Sequence, residues 1–297
     1  MARNVDRNPC VIAVTRASSD PAASYSPQRP AVVGWREFVT AEGEGRMTPS
    51  QLDRACTLFL DLDGTLLEIA ATPDSVVVPS DLPRLLGGLH LLLGGALAIV
   101  TGRSVEAVDA LLTPFVGSVA GEHGAVLRHY DGRVEDTVGA RSVPLLWRES
   151  LRVGAEHWPG VLVERKPHGV AVHYRLAPQR GGDVQRAVRA LVRPDHRRFR
   201  LFEAHAAVEI GPRAASKGRA VERLMADPPF HGRRPLFIGD DETDEAGMAA
   251  ARALGGEGLL VAEAFDGEPA AVRAWLARGV EVLARRPPPD LAPASGP

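Results

Sequence analysis

Two aspartates one residue apart, Asp61 and Asp63, close an apolar run in L-F-L-D-L-D-G-T (58–65). In a strand, residues two apart point to the same side, so the pair would crowd two carboxylates together unless the chain turns between them. Like charges that close resist ionising together, and a bound cation, or a proton held by one of them, relieves the conflict. Two further apolar runs end in polar groups: A-I-V-T-G-R (98–103) in Thr101 and Arg103, and L-F-I-G-D-D (236–241) in Asp240 and Asp241. Carboxylates gathered with the hydroxyls of Thr65 and Thr101, and without His or Cys, form a hard oxygen site that suits Mg2+ rather than zinc. A calcium loop is disfavoured, because the twelfth position counted from Asp61 is Thr72 and not Glu. No G-x-x-x-x-G-K-[ST] phosphate loop is present.

Groups so far apart in sequence meet only if the strands that carry them are neighbours. In open parallel sheets, ligands bind at the carboxyl ends of the strands, where all three runs place their polar residues. Short apolar runs alternating with amphipathic segments predict an α/β fold, a Rossmann-like parallel sheet covered by helices. Expected strands are 56–60, 97–100, 236–238 and 259–261; expected helices are 82–93, 105–112, 217–225, 243–253 and 269–283. The middle differs: 161–164 and 170–174 alternate, and 145–157 and 183–192 read as helices, which predicts an inserted α+β cap. The expected organisation is a flexible extension over 1–50, a core over 51–127 and 206–285, a cap over 128–205 and a Pro-rich tail over 286–297.

A formal charge of −2 offers no large basic surface, so nucleic acid is not an expected partner. The two cysteines, Cys10 and Cys56, are too few for a disulfide framework or a thiolate site, which fits a cytoplasmic location. The longest apolar stretch, 91–100, is too short and too interrupted by Gly to span a bilayer, so no membrane association is expected.

As an ordered set, D-L-D-G-T-L, T-G-R, the Lys of S-K-G and G-D-D-E-T-D-E resemble the four motifs of the haloacid dehalogenase superfamily of phosphatases. The resemblance implies that core fold, with Asp61 as nucleophile forming an aspartyl-phosphate and Asp63 as acid and base. Thr101 and Lys217 would hold the phosphoryl oxygens, with Thr65 and Arg103 also at the substrate. Mg2+ would lie on Asp61, the Asp63 main-chain carbonyl and Asp240, with Asp241 and Asp244 supporting the site. Physics agrees with that division, since a carboxylate must approach an anionic phosphate and needs positive charge beside it.

Of 35 basic residues only Lys166 and Lys217 are lysine, which points to sites where a compact ammonium works and a planar fork does not. Lys166 lies in V-E-R-K-P-H-G-V-A-V-H-Y-R, whose two alternating segments would present Glu164, Lys166, His173 and Arg175 on a small sheet. E-x-K followed by H-Y-R is similar to the cap signature of the trehalose-6-phosphate phosphatase family, and G-E-H-G (121–124) and V-E-I-G-P-R-A-A-S-K-G (208–218) resemble two further signatures of it. Gly211 and Ser216 depart from it, where relatives commonly carry Arg and often Asn or Asp. The resemblance implies that Glu164, Lys166, Arg175, His123 and Glu209 contact the sugar or its phosphate. It implies hydrolysis of trehalose 6-phosphate, the last step of trehalose biosynthesis, with a trehalose-6-phosphate synthase as functional partner. The alternatives are a phosphatase for sucrose 6-phosphate or mannosyl-3-phosphoglycerate, and a non-catalytic sugar-phosphate-sensing module.

Overall fold

Strand β1 (Cys56–Leu60) is buried along its whole length, as a strand with helices on both sheet faces must be. The computed structural model describes residues 49–139, 141–204 and 206–285. The expected Pro-rich tail and nearly all of the expected extension lie outside them. After β1 come α1 (Leu82–Leu92), β2 (Leu97–Val100), α2 (Val105–Leu112), β3 (Ser118–Gly121), β4 (Val126–Arg128), β5 (Val134–Asp136) and α3 (Leu145–Ala155). There follow β6 (Leu162–Arg165), β7 (Val170–His173), α4 (Gly181–Val192), β8 (Phe199–Ala204), β9 (Ala207–Pro212) and α5 (Lys217–Met225). The chain then runs through β10 (Arg234–Gly239), α6 (Glu245–Ala253), β11 (Glu257–Leu260), α7 (Val261–Ala264) and α8 (Pro269–Arg285).

The strands form two sheets. A seven-stranded sheet has the order β11-β10-β1-β2-β3-β4-β5, parallel from β11 to β3, with β4 and β5 added antiparallel. Leu60 lies opposite both Ile238 of β10 and Ile99 of β2, so the three polar strand ends stand at one level. A second, four-stranded antiparallel sheet has the order β6-β7-β9-β8. Each sheet carries its own apolar cluster: Phe59, Ile99 and Phe237 belong to the large one, and Val172, Val188, Phe199 and Ile210 to the small one.

Sheet membership draws the line between core and cap at other residues than the sequence boundaries. β5, inside the expected cap, joins the large sheet through β4, and β9, inside the expected core, is a central strand of the small one. The cap elements therefore span α3 to β9. The reason lies in β9: A-V-E-I-G-P is buried at every position, including Glu209, and a polar residue in a buried run hides the strand from its hydrophobic pattern. No helix among the described residues is long and apolar enough to cross a membrane.

Candidate active site

Beyond β1 the chain stays in register for one more residue, and the Asp61 amide donates to the Ile238 carbonyl at 3.0 Å. It then turns through Gly64, whose φ of +84° is in the left-handed region and whose missing side chain leaves room for the Asp240 carboxylate. The turn separates the pair that opened the question. Asp63 swings away, and both its oxygens accept from Arg103, Oδ2 from Nε at 2.6 Å and Oδ1 from Nη2 at 2.7 Å.

The carboxylates that crowd Asp61 are Asp244 and Asp240. Burial first, then Asp244, raises the Asp61 pKa well above the carboxylate range, Asp240 adding to it and Lys217 opposing. Burial, Asp241 and Asp244 push Asp240 up to about 7. Carboxylate oxygens of Asp61, Asp240 and Asp244 all lie within 4.8 Å of one another. Three hard oxygen donors that resist sharing negative charge fit a divalent cation such as Mg2+. Asp241, expected at the metal site in a supporting place, accepts from Thr243, from its amide at 2.8 Å and its hydroxyl at 2.7 Å, and caps the turn Glu242–Asp244.

Lys217 enters from the first turn of α5, which Ser216 caps by accepting the Arg219 amide. Its ammonium donates to Asp61 Oδ1 at 2.7 Å and Asp244 Oδ1 at 2.6 Å. Burial works against that charge, but Asp244 and Asp61 overcome it and raise its pKa. Thr101 follows β2 and is 1% exposed, its hydroxyl accepting the Arg103 amide at 3.2 Å. Thr65, expected at the substrate, is fully buried behind the wall, its hydroxyl on Asp240 Oδ1 at 3.3 Å; it steadies a carboxylate.

The cap sheet roofs this floor. Lys166 Nζ donates to the Gly102 carbonyl at 2.8 Å and to Glu209. Glu209 also faces His123 Nε2 at 3.5 Å. Burial works against the Glu209 charge, yet Lys166 and then His123 outweigh it and hold its pKa down at about 2. Glu164 accepts from His173 at 2.9 Å when that nitrogen is protonated. Arg175, past the end of β7, donates to the Ala70 carbonyl of the core. Between floor and roof is a cavity of about 160 Å3, lined by every expected site residue except Thr65 and Asp244.

Phe202 of β8 also lines it and was not legible in the sequence. Its ring stacks on His123 with centroids 4.0 Å apart, and a side chain at Gly211 would strike it at 2.8 Å. The glycine that departs from the family pattern is thus matched by an aromatic on the neighbouring strand. In the register Phe202 lies opposite Glu209, so Gly211, two residues on, is its diagonal neighbour.

Residues 59–262 match the family described as trehalose-phosphatase. The chain belongs to that family of phosphatase hydrolases. It is 44% identical over 207 residues to a probable trehalose-phosphate phosphatase of Sinorhizobium fredii, covering 69% of this chain and 77% of the relative. It is 38% identical over 230 residues to the trehalose-6-phosphate phosphatase of Escherichia coli, covering 75% and 81%. A solved C-terminal domain of the C. albicans trehalose-6-phosphate phosphatase shares the fold, with a TM-score of 0.65 at 20% identity over 80% of this chain and 99% of that one. The core is the expected haloacid dehalogenase fold with an inserted cap.

Proposed function

We propose that this protein is a cytoplasmic Mg2+-dependent phosphatase that hydrolyses trehalose 6-phosphate, the product of a trehalose-6-phosphate synthase, to trehalose and phosphate. The observation that carries the reading is one cavity with a phosphoryl-transfer floor, Asp61 on Lys217, under a roof of Glu164, Lys166 and Glu209. Asp61 attacks phosphorus with a carboxylate oxygen, the bond from phosphorus to the sugar oxygen breaks, and Asp63 gives its proton to that leaving oxygen. Asp63 then takes a proton from water, which attacks phosphorus, and Asp61 is released with inorganic phosphate. Lys217 and the Thr101 hydroxyl balance charge on the transferring oxygens. Asp61 and Asp240, with Asp244 beside them, would hold Mg2+, and the Asp63 main-chain carbonyl would complete the set; Mg2+ supplies further neutralisation of the phosphate charge.

Arg103 donates to both oxygens of Asp63. An anionic substrate in the cavity competes for that guanidinium and frees Asp63 to carry a proton toward the leaving oxygen. Glu164, Lys166 and Glu209 meet the sugar hydroxyls, and a wrong sugar leaves buried polar groups unpaired. Four rates test the reading: Lys166→Ala and Lys217→Ala, each on trehalose 6-phosphate and on a small aryl phosphate. Lys166→Ala should lose ~10²-fold on the sugar phosphate only, about what one or two charge-assisted hydrogen bonds supply, whereas Lys217→Ala should depress both. Equal losses for Lys166→Ala would remove sugar selectivity from the cap.

A further inference from the structure

Glu122 belongs to neither the floor nor the roof. It follows β3 in the core, is 3% exposed, does not line the cavity, and has a left-handed φ of +47° that L residues seldom adopt. Its carboxylate reaches the turn between β6 and β7 in the cap. Oε2 accepts the amides of His168 at 2.8 Å and Gly169 at 3.2 Å, and Oε1 lies 3.3 Å from His168 Nδ1. The other ring nitrogen of His168 is 3.3 Å from Oδ2 of Asp136, on β5 of the core sheet. The carbonyls of the same turn are met from the cap side, where Arg148 donates to Lys166 O at 2.7 Å and Pro167 O at 2.9 Å. Buried backbone groups need partners, and this turn takes its acceptors from the core.

These bonds close a circuit. The Glu122 amide donates to the Arg103 carbonyl at 2.8 Å, next to Gly102, whose carbonyl takes the Lys166 ammonium. The Lys166 amide in turn donates to the Gly169 carbonyl at 3.1 Å. One carboxylate thereby ties the segment that carries Thr101 and Arg103 to the turn that aims Lys166.

We propose that Glu122 is a positioning residue that holds the β6–β7 turn against the core and so sets Lys166 over the cavity. The inference rests on the sugar-phosphatase reading for its kinetic consequence and on hydrogen bonding alone for its structural one. Reach matters here, and charge does not. Glu122→Gln keeps a carbonyl oxygen for the two amides and offers its NH2 to the imidazole, which can accept there and still donate to Asp136. Glu122→Asp keeps the charge but is one methylene too short, and Glu122→Ala removes both.

The three variants are compared by kcat/KM on trehalose 6-phosphate and on a small aryl phosphate, and by hydrogen exchange of the amides over 166–170. Ala and Asp should lose at least ~10-fold on the sugar phosphate, the cost of leaving buried donors unpaired, with the aryl phosphate spared and exchange at 168 and 169 accelerated. Gln should stay within about threefold of the parent on all readouts. Asp rescuing where Gln fails would show that charge is what counts and overturn the proposal. So would equal losses on both substrates, or unchanged exchange in Ala and Asp. Should the parent protein turn over only the aryl phosphate, the substrate assignment falls, and the exchange rates alone decide the role of Glu122; a variant that does not fold is replaced in the comparison by the other short one.

Discussion

At the scale of single residues, the site is a balance of buried charges in which carboxylates and ammonium groups hold one another. Asp61 sits among Asp240 and Asp244 with one ammonium to serve them. Asp61→Asn should therefore abolish turnover, because an amide is a far weaker nucleophile, and at the same time raise the melting temperature of metal-free protein at pH 7 by relieving that repulsion. A variant that keeps appreciable activity would remove Asp61 from the chemistry. Glu209 acts in the opposite sense. Its pKa falls from 4.5 to about 2 on folding, so the stability it contributes is full above about pH 4.5 and is lost as pH falls toward 2. Glu209→Gln should flatten that part of the acid limb of a denaturation series relative to the parent, and an unchanged limb would place the ion pair with Lys166 outside the folding balance. The sequence exposed Asp61, Asp63 and Asp240 by their spacing, but it could not choose between Asp241 and Asp244. Both follow β10 within five residues, and only the turn at Glu242–Asp244 decides that Asp241 faces Thr243 while Asp244 faces Lys217.

At the scale of elements, legibility followed burial pattern. β1, β2, α2 and α5 stand over the residues their periodicity gave, because each is uniformly apolar or cleanly amphipathic. β3, β8 and β9 escaped notice for physical reasons: S-V-A-G is short and small, F-R-L-F-E-A exposes its last residues, and A-V-E-I-G-P buries a carboxylate. The start of α5 shows how an element delivers a functional group. Ser216 caps the helix whose first residue is Lys217, and Ser, Asn and Asp all perform that task, which explains why a serine is tolerated where relatives often carry the other two. Ser216→Ala should cost about 1 kcal/mol, read as a lower urea midpoint at unchanged slope, and should depress turnover of both substrate types because Lys217 loses its fixed origin. Unaltered stability would mean that the packing of α5 alone sets its start.

At the scale of the whole molecule, the two large apolar clusters, one under each sheet, and the small one of Ala125, Val138, Phe202 and Ala215 are separate, and polar bonds such as those of Lys166 and Glu122 link cap to core. On the proposed reading, phosphate chemistry uses the core and recognition uses the cap, so the crossing bonds would decide when both are assembled. Mg2+ added to metal-free protein should raise the melting temperature in proportion to the logarithm of its concentration above Kd, and EDTA should abolish activity and lower it again; EDTA-resistant turnover would exclude the carboxylate cluster as the metal site. The scarcity of lysine has a consequence for how such motions can be watched. Both lysines are buried, Lys166 at 7% and Lys217 at 3% exposed, and every other basic residue is arginine. A protease that cuts only after lysine therefore finds no accessible lysine bond while the molecule is closed. Lys166 is followed by Pro167, a bond that such a protease cuts poorly, so scission falls after Lys217 and needs the start of α5 to open. Digestion by that protease thus times one opening, that of the start of α5, in an unlabelled protein on a single gel lane, and substrate in the cavity should slow it.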